Sequence, residues 1–265
     1  MLILSLVALS FALAPLVGLL GRSPSPLLAI IPAILFVAFC TYVPDLGNGP
    51  VIEAHRWIPT LGISAAFRID GLSLLFALLI SGIGAVIFLY ASSYMRGMER
   101  LPRFFVALTL FMGSMIGAVL ADDLVLLIVF WELTSLTSFL LIGTTPESAE
   151  ARRSAQQGFL VTVAGGLALL VGAILLGQVA GTYSITEILA QSDSIAAHPL
   201  APASIVLFAV GAFAKSAQAP LHSWLPNAMV APTPVSAYLH SATMVKLGVY
   251  LLARFNPVFE SHALW

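Results

Sequence analysis

Charge is what this sequence has least of. Only 9% of its 265 residues are Asp, Glu, Lys or Arg, where a soluble domain carries about a quarter. That scarcity excludes an ordinary water-soluble fold. The net charge of −1, with no basic run, gives no footprint for nucleic acid. A single cysteine, Cys40, excludes an internal disulfide and any Cys-x-x-Cys metal site. The histidines form no His-Glu-x-x-His pattern, so no metal centre is expected. No convincing strand is read, and hence no strand-borne glycine-rich phosphate loop.

Apolar residues fill the space that charge leaves. They make up 60% of the chain, and the mean hydropathy is +1.02. A bilayer crossing needs roughly 20 apolar residues at about 1.5 Å each. Eight runs approach that length: Leu2–Leu20, Leu27–Val43, Leu72–Tyr94, Phe104–Leu120, Leu124–Ile142, Phe159–Val179, Ala203–Leu221 and Val235–Arg254. The first has no basic flank and too long an apolar run for a cleaved leader, so it reads as a retained helix. The expectation is an all-α polytopic membrane protein, with mixed-polarity loops at Pro44–Gly71 and Gly181–Pro202.

Arginine sets the expected orientation. Arg22, Arg96, Arg100, Arg103, Arg152 and Arg153 fall in alternate loops on one side, with Arg56, Arg68 and Arg254 on the other. By the positive-inside rule the first set is cytoplasmic, and the amino terminus and both long loops are outside.

Few charges then remain inside the membrane. Glu132 lies in the fifth span, Lys215 in the seventh and Lys246 in the eighth, each near mid-depth, with His240 closer to the cytoplasmic end. A charge at the bilayer centre costs at least about 2.5–3.5 kcal/mol, so these three need partners or a purpose. Glu132 and Lys215 suggest a pair, which leaves Lys246 without an acidic partner and makes it a candidate proton carrier. The alternative for the pair is a packing device between helices. For His240 it is a hydrogen-bonded core imidazole rather than a relay group. Ser135 shares the face of Glu132, and Thr243 lies one turn from both His240 and Lys246. Both are possible auxiliaries, although hydroxyls also join membrane helices. Asp122 and Asp123 read as caps of the fifth helix.

Proline marks a break. Pro220 follows Lys215 by five residues, and Pro226, Pro232 and Pro234 come soon after. One reading is a water-accessible interruption with His222 beside it, as in transporters. The other is a plain helix end. Gly165 and Gly166 read as close helix packing.

Three stretches carry a family likeness: "FWELTSLTSFLLIG" around Glu132, "AFAKSAQAPLHSWLPNAMVAPTPVSAYLHSATMVKLGVYLLAR" around Lys215 and Lys246, and "GTYSI" at Gly181. Together they resemble the A-type subunit of the multisubunit Mrp-type cation/proton antiporters. Their wider group includes the antiporter-like, proton-pumping subunits of complex I. The resemblance implies three leading helices (1–103, with the external loop near 44–71) and one five-helix repeat (104–265) whose seventh helix is broken. It implies a relay of Glu132, Lys215, His240 and Lys246, exchange of Na⁺ or K⁺ for H⁺, other membrane subunits as partners, and no prosthetic group. It also implies residence in a bacterial cell (inner) membrane and secondary transport rather than enzymatic turnover. The family's second, inverted repeat is expected to be missing, because the sequence stops at Trp265. Two alternatives stand beside the antiporter: a proton-translocating subunit of an NADH-quinone oxidoreductase, and a truncated, non-transporting scaffold.

Overall fold

The computed structural model describes residues 2–20, 25–98 and 100–265. Arg22, one of the orientation markers, lies outside the described residues. Chain order is α1 (Leu2–Ala12), α2 (Ala14–Leu20), α3 (Ile30–Cys40), β1 (Val51–Ile58), β2 (Ile63–Ile69), α4 (Gly71–Tyr94), α5 (Leu101–Leu120) and α6 (Leu124–Ile142). It continues through α7 (Ala149–Ala180), α8 (Ile185–Leu189), α9 (Ser192–Ala196), α10 (Ala201–Lys215), α11 (Trp224–Ala228), α12 (Thr233–Ser236) and α13 (Met244–Phe259).

Six helical segments among the described residues are long and apolar enough to cross a membrane: 2–20, 26–48, 71–94, 101–120, 124–142 and 149–180. They match the first six expected spans. The last two are not single long helices. Ala201–Lys215 is a shorter apolar helix, and the final segment is α12, a π-helical turn at Ala237–Ala242 and then α13. The division between α1 and α2 has a simple cause. Pro15 has no amide hydrogen to donate, yet Leu13 and Val17 still donate to Leu9 and Leu13 at 2.9 Å, so the helix runs on.

One expectation fails in the external loop. Residues 51–69 form an antiparallel β-hairpin, in register from Val51 opposite Ile69 to Arg56 opposite Ser64. Its strands are rich in β-branched and aromatic residues, and Pro59 and Gly62 supply the turn, with Gly62 at φ 67°. The strands are too short to stand out in sequence beside helices of twenty residues.

The hairpin is tied to the bundle. The Asp122 amide donates to Ala66 at 2.8 Å, while Leu124 donates to Tyr183 and Ile185 to Asp122 at 2.9 Å. The hairpin, the link between α5 and α6, and the link after α7 are therefore stitched into one plate. Asp70 caps α4 in a reciprocal capping box with Ser73. Asp123 caps α6 by accepting from Val125 and Leu126.

Helix α5 is the axis of the bundle, buried along almost all of its length between α1, α2, α4 and α6. Helices α7 and α10 approach closely because Gly165 meets Ala214 and Gly211 meets Leu169. In the bilayer, where water exclusion gives no drive for helix association, such close van der Waals contact is a main source of cohesion.

Candidate functional site

Lys215 is the last residue of α10 and is fully buried. Its Nζ donates to the Trp131 carbonyl at 3.0 Å and to Ser135 Oγ at 2.7 Å, both on α6. It also sits 5.2 Å from the centre of the Trp131 ring. The C-terminal position places the ammonium at the negative end of the helix dipole. Ser135 is thus a direct partner of Lys215.

Glu132 lies close enough to Lys215 for their charges to interact. Yet the described residues show no ion pair between them, and Glu132 Oε1 is buried with no hydrogen-bond partner. The expected pair is therefore neighbourly rather than bonded. Helix geometry explains this. Trp131 and Ser135, four apart, face Lys215, whereas Glu132 is one position round α6 and packs against Gly166 of α7. A Cβ on Gly166 would overlap Glu132 Oε1, so only glycine leaves room for the carboxylate.

Beyond Lys215 the helix stops. The Gln218 amide reaches back to Phe213 at 2.9 Å, and Ala217 adopts φ 51°. The Ala219–Pro220 peptide is cis. Pro220, His222 and Pro226 are exposed along this link, and His222 makes no hydrogen bond to Lys215 or His240 among the described residues. Gln157 of α7 holds the link through Ser223 at 3.2 Å and Asn227 at 2.6 Å.

His240 falls in the π-helical turn, a feature frequent at functional sites. Both ring nitrogens are buried without a hydrogen-bond partner, so the core alternative of a satisfied imidazole does not describe it. Thr243 is buried and gives its hydroxyl to the Tyr238 carbonyl at 2.6 Å rather than to His240 or Lys246. Lys246 is exposed on the outer face of α13, although the carbonyl of its neighbour Val245 accepts from Ser216, the residue after Lys215, at 2.7 Å. The sequence places it on an apolar run. Only the packing of α13, which buries Leu247, Gly248 and Leu251, decides which side faces out.

Two tryptophans join the site without any expectation from sequence. Trp131 supplies a carbonyl and a ring to Lys215. Trp224 is fully buried, donates from Nε1 to the Ala214 carbonyl at 2.9 Å, and meets His240 edge-on with ring centres 6.0 Å apart. It links the end of the Lys215 helix to the His240 turn. The only signal in the sequence is an indole set among prolines.

A second polar cluster is likewise absent from the sequence reading. Arg254, expected to be an orientation marker, is buried and donates to both Asp70 oxygens, at 2.5 and 2.9 Å. Its Nε reaches the Tyr250 hydroxyl at 3.1 Å. Arg68 joins Asp70 at 2.9 Å and Thr186 at 3.0 Å, and Thr186 donates to Asp122 at 2.8 Å. Burial works against the Asp70 carboxylate, but hydrogen bonds and charge from Arg254, with Ser73 and Arg68, hold it well below the usual range. Burial pushes Asp122 up against the opposing pull of Thr186 and the arginines. It also pushes Asp123 up against the amides of Ser64, Leu126 and Val125. Asp123 caps α6 as expected, whereas Asp122 belongs to this cluster.

Comparison with known proteins gives the family of the chain. Residues 121–265 match the family described as "NADH:quinone oxidoreductase/Mrp antiporter, TM", and residues 57–105 match "NADH-Ubiquinone oxidoreductase (complex I), chain 5 N-terminus". The chain belongs to the NADH:quinone oxidoreductase/Mrp antiporter transmembrane family. Within that family it is 52% identical over 234 residues to the Staphylococcus aureus (strain MRSA252) protein named "Putative antiporter subunit mnhA2", covering 86% of this chain and 29% of that one. It is 48% identical over 233 residues to a probable K(+)/H(+) antiporter subunit of Rhizobium meliloti (strain 1021), covering 88% and 23%. The chain thus spans less than a third of those relatives. Among solved structures it superposes on a chain of the Mrp complex from Dietzia sp. DQ12-45-1b with TM-score 0.90 and 38% identity, covering 100% of this chain and 29% of that one. An archaeal membrane-bound sulfane sulfur reductase shares the fold alone, with TM-score 0.84 and 22% identity over 100% and 54% of the two chains. This family membership makes the chain a multi-pass membrane protein.

Proposed function

We propose that this chain works as a membrane subunit of a multisubunit monovalent cation/proton antiporter, with the proton step carried by Glu132, Lys215, His240 and Lys246. The observation that carries the reading is Lys215: a fully buried ammonium at the end of an interrupted helix, held by a carbonyl and a hydroxyl instead of a bonded carboxylate. Neutral partners let a lysine exist in both protonation states, which a tight ion pair resists. Glu132 Oε1 on one flank and the His240 nitrogens beyond Trp224 are buried groups with unused hydrogen-bonding capacity. Lys246 on the outer face of α13 is where a proton leaves this part of the path, towards another transmembrane element. Other membrane subunits are the partners, and Na⁺ or K⁺ and H⁺ the transported ions. The helices before residue 104 serve as a leading unit to the repeat at 104–265. The arginines at 96, 100, 103, 152 and 153 put their side in the cytoplasm and the amino terminus outside.

The test is cation-driven proton movement in everted vesicles that lack endogenous antiporters, with the chain expressed alongside its genomic neighbours. Collapse of the pH gradient by Na⁺ or K⁺, lost in Lys215→Ala, is the expected result. Proton pumping driven only by a quinone-reducing donor would move the chain to the redox-driven branch of its family. No response to either would leave the scaffold alternative.

A further inference from the structure

A groove of about 500 Å³ opens on the side of the bundle opposite the β-hairpin, between the start of α5 and the end of α6. Its walls are Val106, Ala107, Leu110 and Leu140, and Arg100 and Arg103 stand at its mouth. The stripe along α5 runs from basic to apolar at helical spacing, Arg103 to Ala107 to Leu110, so charge sits at the membrane surface and hydrocarbon lies below it. Leu140 completes the far wall and is itself exposed. Neither arginine is held by a buried partner. Arg100 meets Glu147 at 2.9 Å, but both side chains are largely exposed, and such surface pairs hold weakly. Arg103 is exposed and makes no ion pair among the described residues.

We infer that this groove binds one anionic phospholipid, its acyl chain lying along Val106, Leu110 and Leu140 and its phosphate held by Arg100 and Arg103. Charge complementarity selects the occupant. A neutral helix from another subunit would fill the apolar walls but would leave Arg103 unanswered and Arg100 with only its weak surface pair to Glu147, while an anionic headgroup meets both. Basic pockets between transmembrane helices on the cytoplasmic side take anionic headgroups in this way. The groove shares α6 with the Lys215 group, but neither arginine hydrogen-bonds to Lys215 or its partners among the described residues, and its test does not depend on transport.

The experiment is native mass spectrometry of the assembled complex after delipidation and back-titration with phosphatidylglycerol or phosphatidylcholine. The unmodified complex should retain one more phosphatidylglycerol than the double variant Arg100→Gln/Arg103→Gln, whose retention should be roughly thirtyfold weaker. Leu140→Trp, which narrows the groove at an exposed position, should lose the same lipid with the arginines intact. Arg153→Ala, on the same side but outside the groove, should keep it. Equal retention in all variants, equal retention of phosphatidylcholine, or a helix of another subunit seated between α5 and α6 would overturn the assignment.

Discussion

At the hairpin end of the bundle, Arg254, Asp70, Arg68, Thr186 and Asp122 form a chain in which the charged groups meet hydrogen-bonding partners. Around Lys215 and His240 the pattern reverses: the ammonium rests on neutral oxygens, and a carboxylate oxygen and both imidazole nitrogens stay unmatched. Both clusters are buried and both are polar, so burial alone does not separate structure from transport. Satisfaction does. A fully paired network resists any change of protonation, because each proton moved breaks a bonded partner. A partly satisfied one accepts such changes at little cost, and unmatched buried groups call for an explanation of that kind.

The comparison is broken most strongly by changing the acid at the unmatched site. Glu132→Ala is expected to abolish coupled exchange while leaving the amount of assembled protein in the membrane unchanged, as read by transport against immunoblot. Unchanged exchange at normal expression would contradict the assignment. The converse change is Asp70→Asn, which leaves Arg254 buried beside a neutral amide. Its expected cost is roughly 3–5 kcal/mol of stability, read as a lower unfolding midpoint in detergent, with exchange per folded complex retained. The pH dependence has a defined sign. Because the folded carboxylate lies below its ordinary value of about 3.9, its contribution is complete above that value and is lost as pH falls below it. Acid scans should show this loss in the unmodified protein and not in Asp70→Asn.

Smaller effects sharpen the contrast. Gly166→Ala places a methyl group where Glu132 Oε1 sits. Exchange is expected to fall about tenfold through displacement of the carboxylate, with little change in unfolding midpoint. An equal loss of both would make the glycine a packing residue only. Trp224→Phe keeps the ring against His240 but removes the bond to the Ala214 carbonyl, a change of about 1 kcal/mol. The expected result is a severalfold loss of exchange with a shifted pH optimum, where a purely structural role would leave the optimum in place.

The spans are legible in sequence because hydropathy over twenty residues is an average that survives local detail. Glu132 and Lys215 are legible because charge inside such a run is conspicuous. The partners of Lys215 are not. One is the Trp131 backbone carbonyl, which every residue possesses and no pattern announces. Gly166 can be read as a packing glycine, but not as the seat of a particular carboxylate. Arg254 misleads for a related reason. An arginine near a helix end usually marks topology, and its true partner, Asp70, lies 184 residues away in sequence. The hairpin is lost among the dominant helical signals around it. Lys246 stands out as a charge on an apolar helix, while the face it occupies depends on which stripe of α13 packs inward.

The most direct measurement puts the two clusters side by side: Na⁺- and K⁺-evoked collapse of a pH gradient in vesicles carrying the complex, for the unmodified chain, Lys215→Ala and Asp70→Asn, each normalised to folded complex. Exchange lost in Lys215→Ala and kept in Asp70→Asn is the predicted result. Exchange kept in Lys215→Ala, or lost equally in both, would contradict the account.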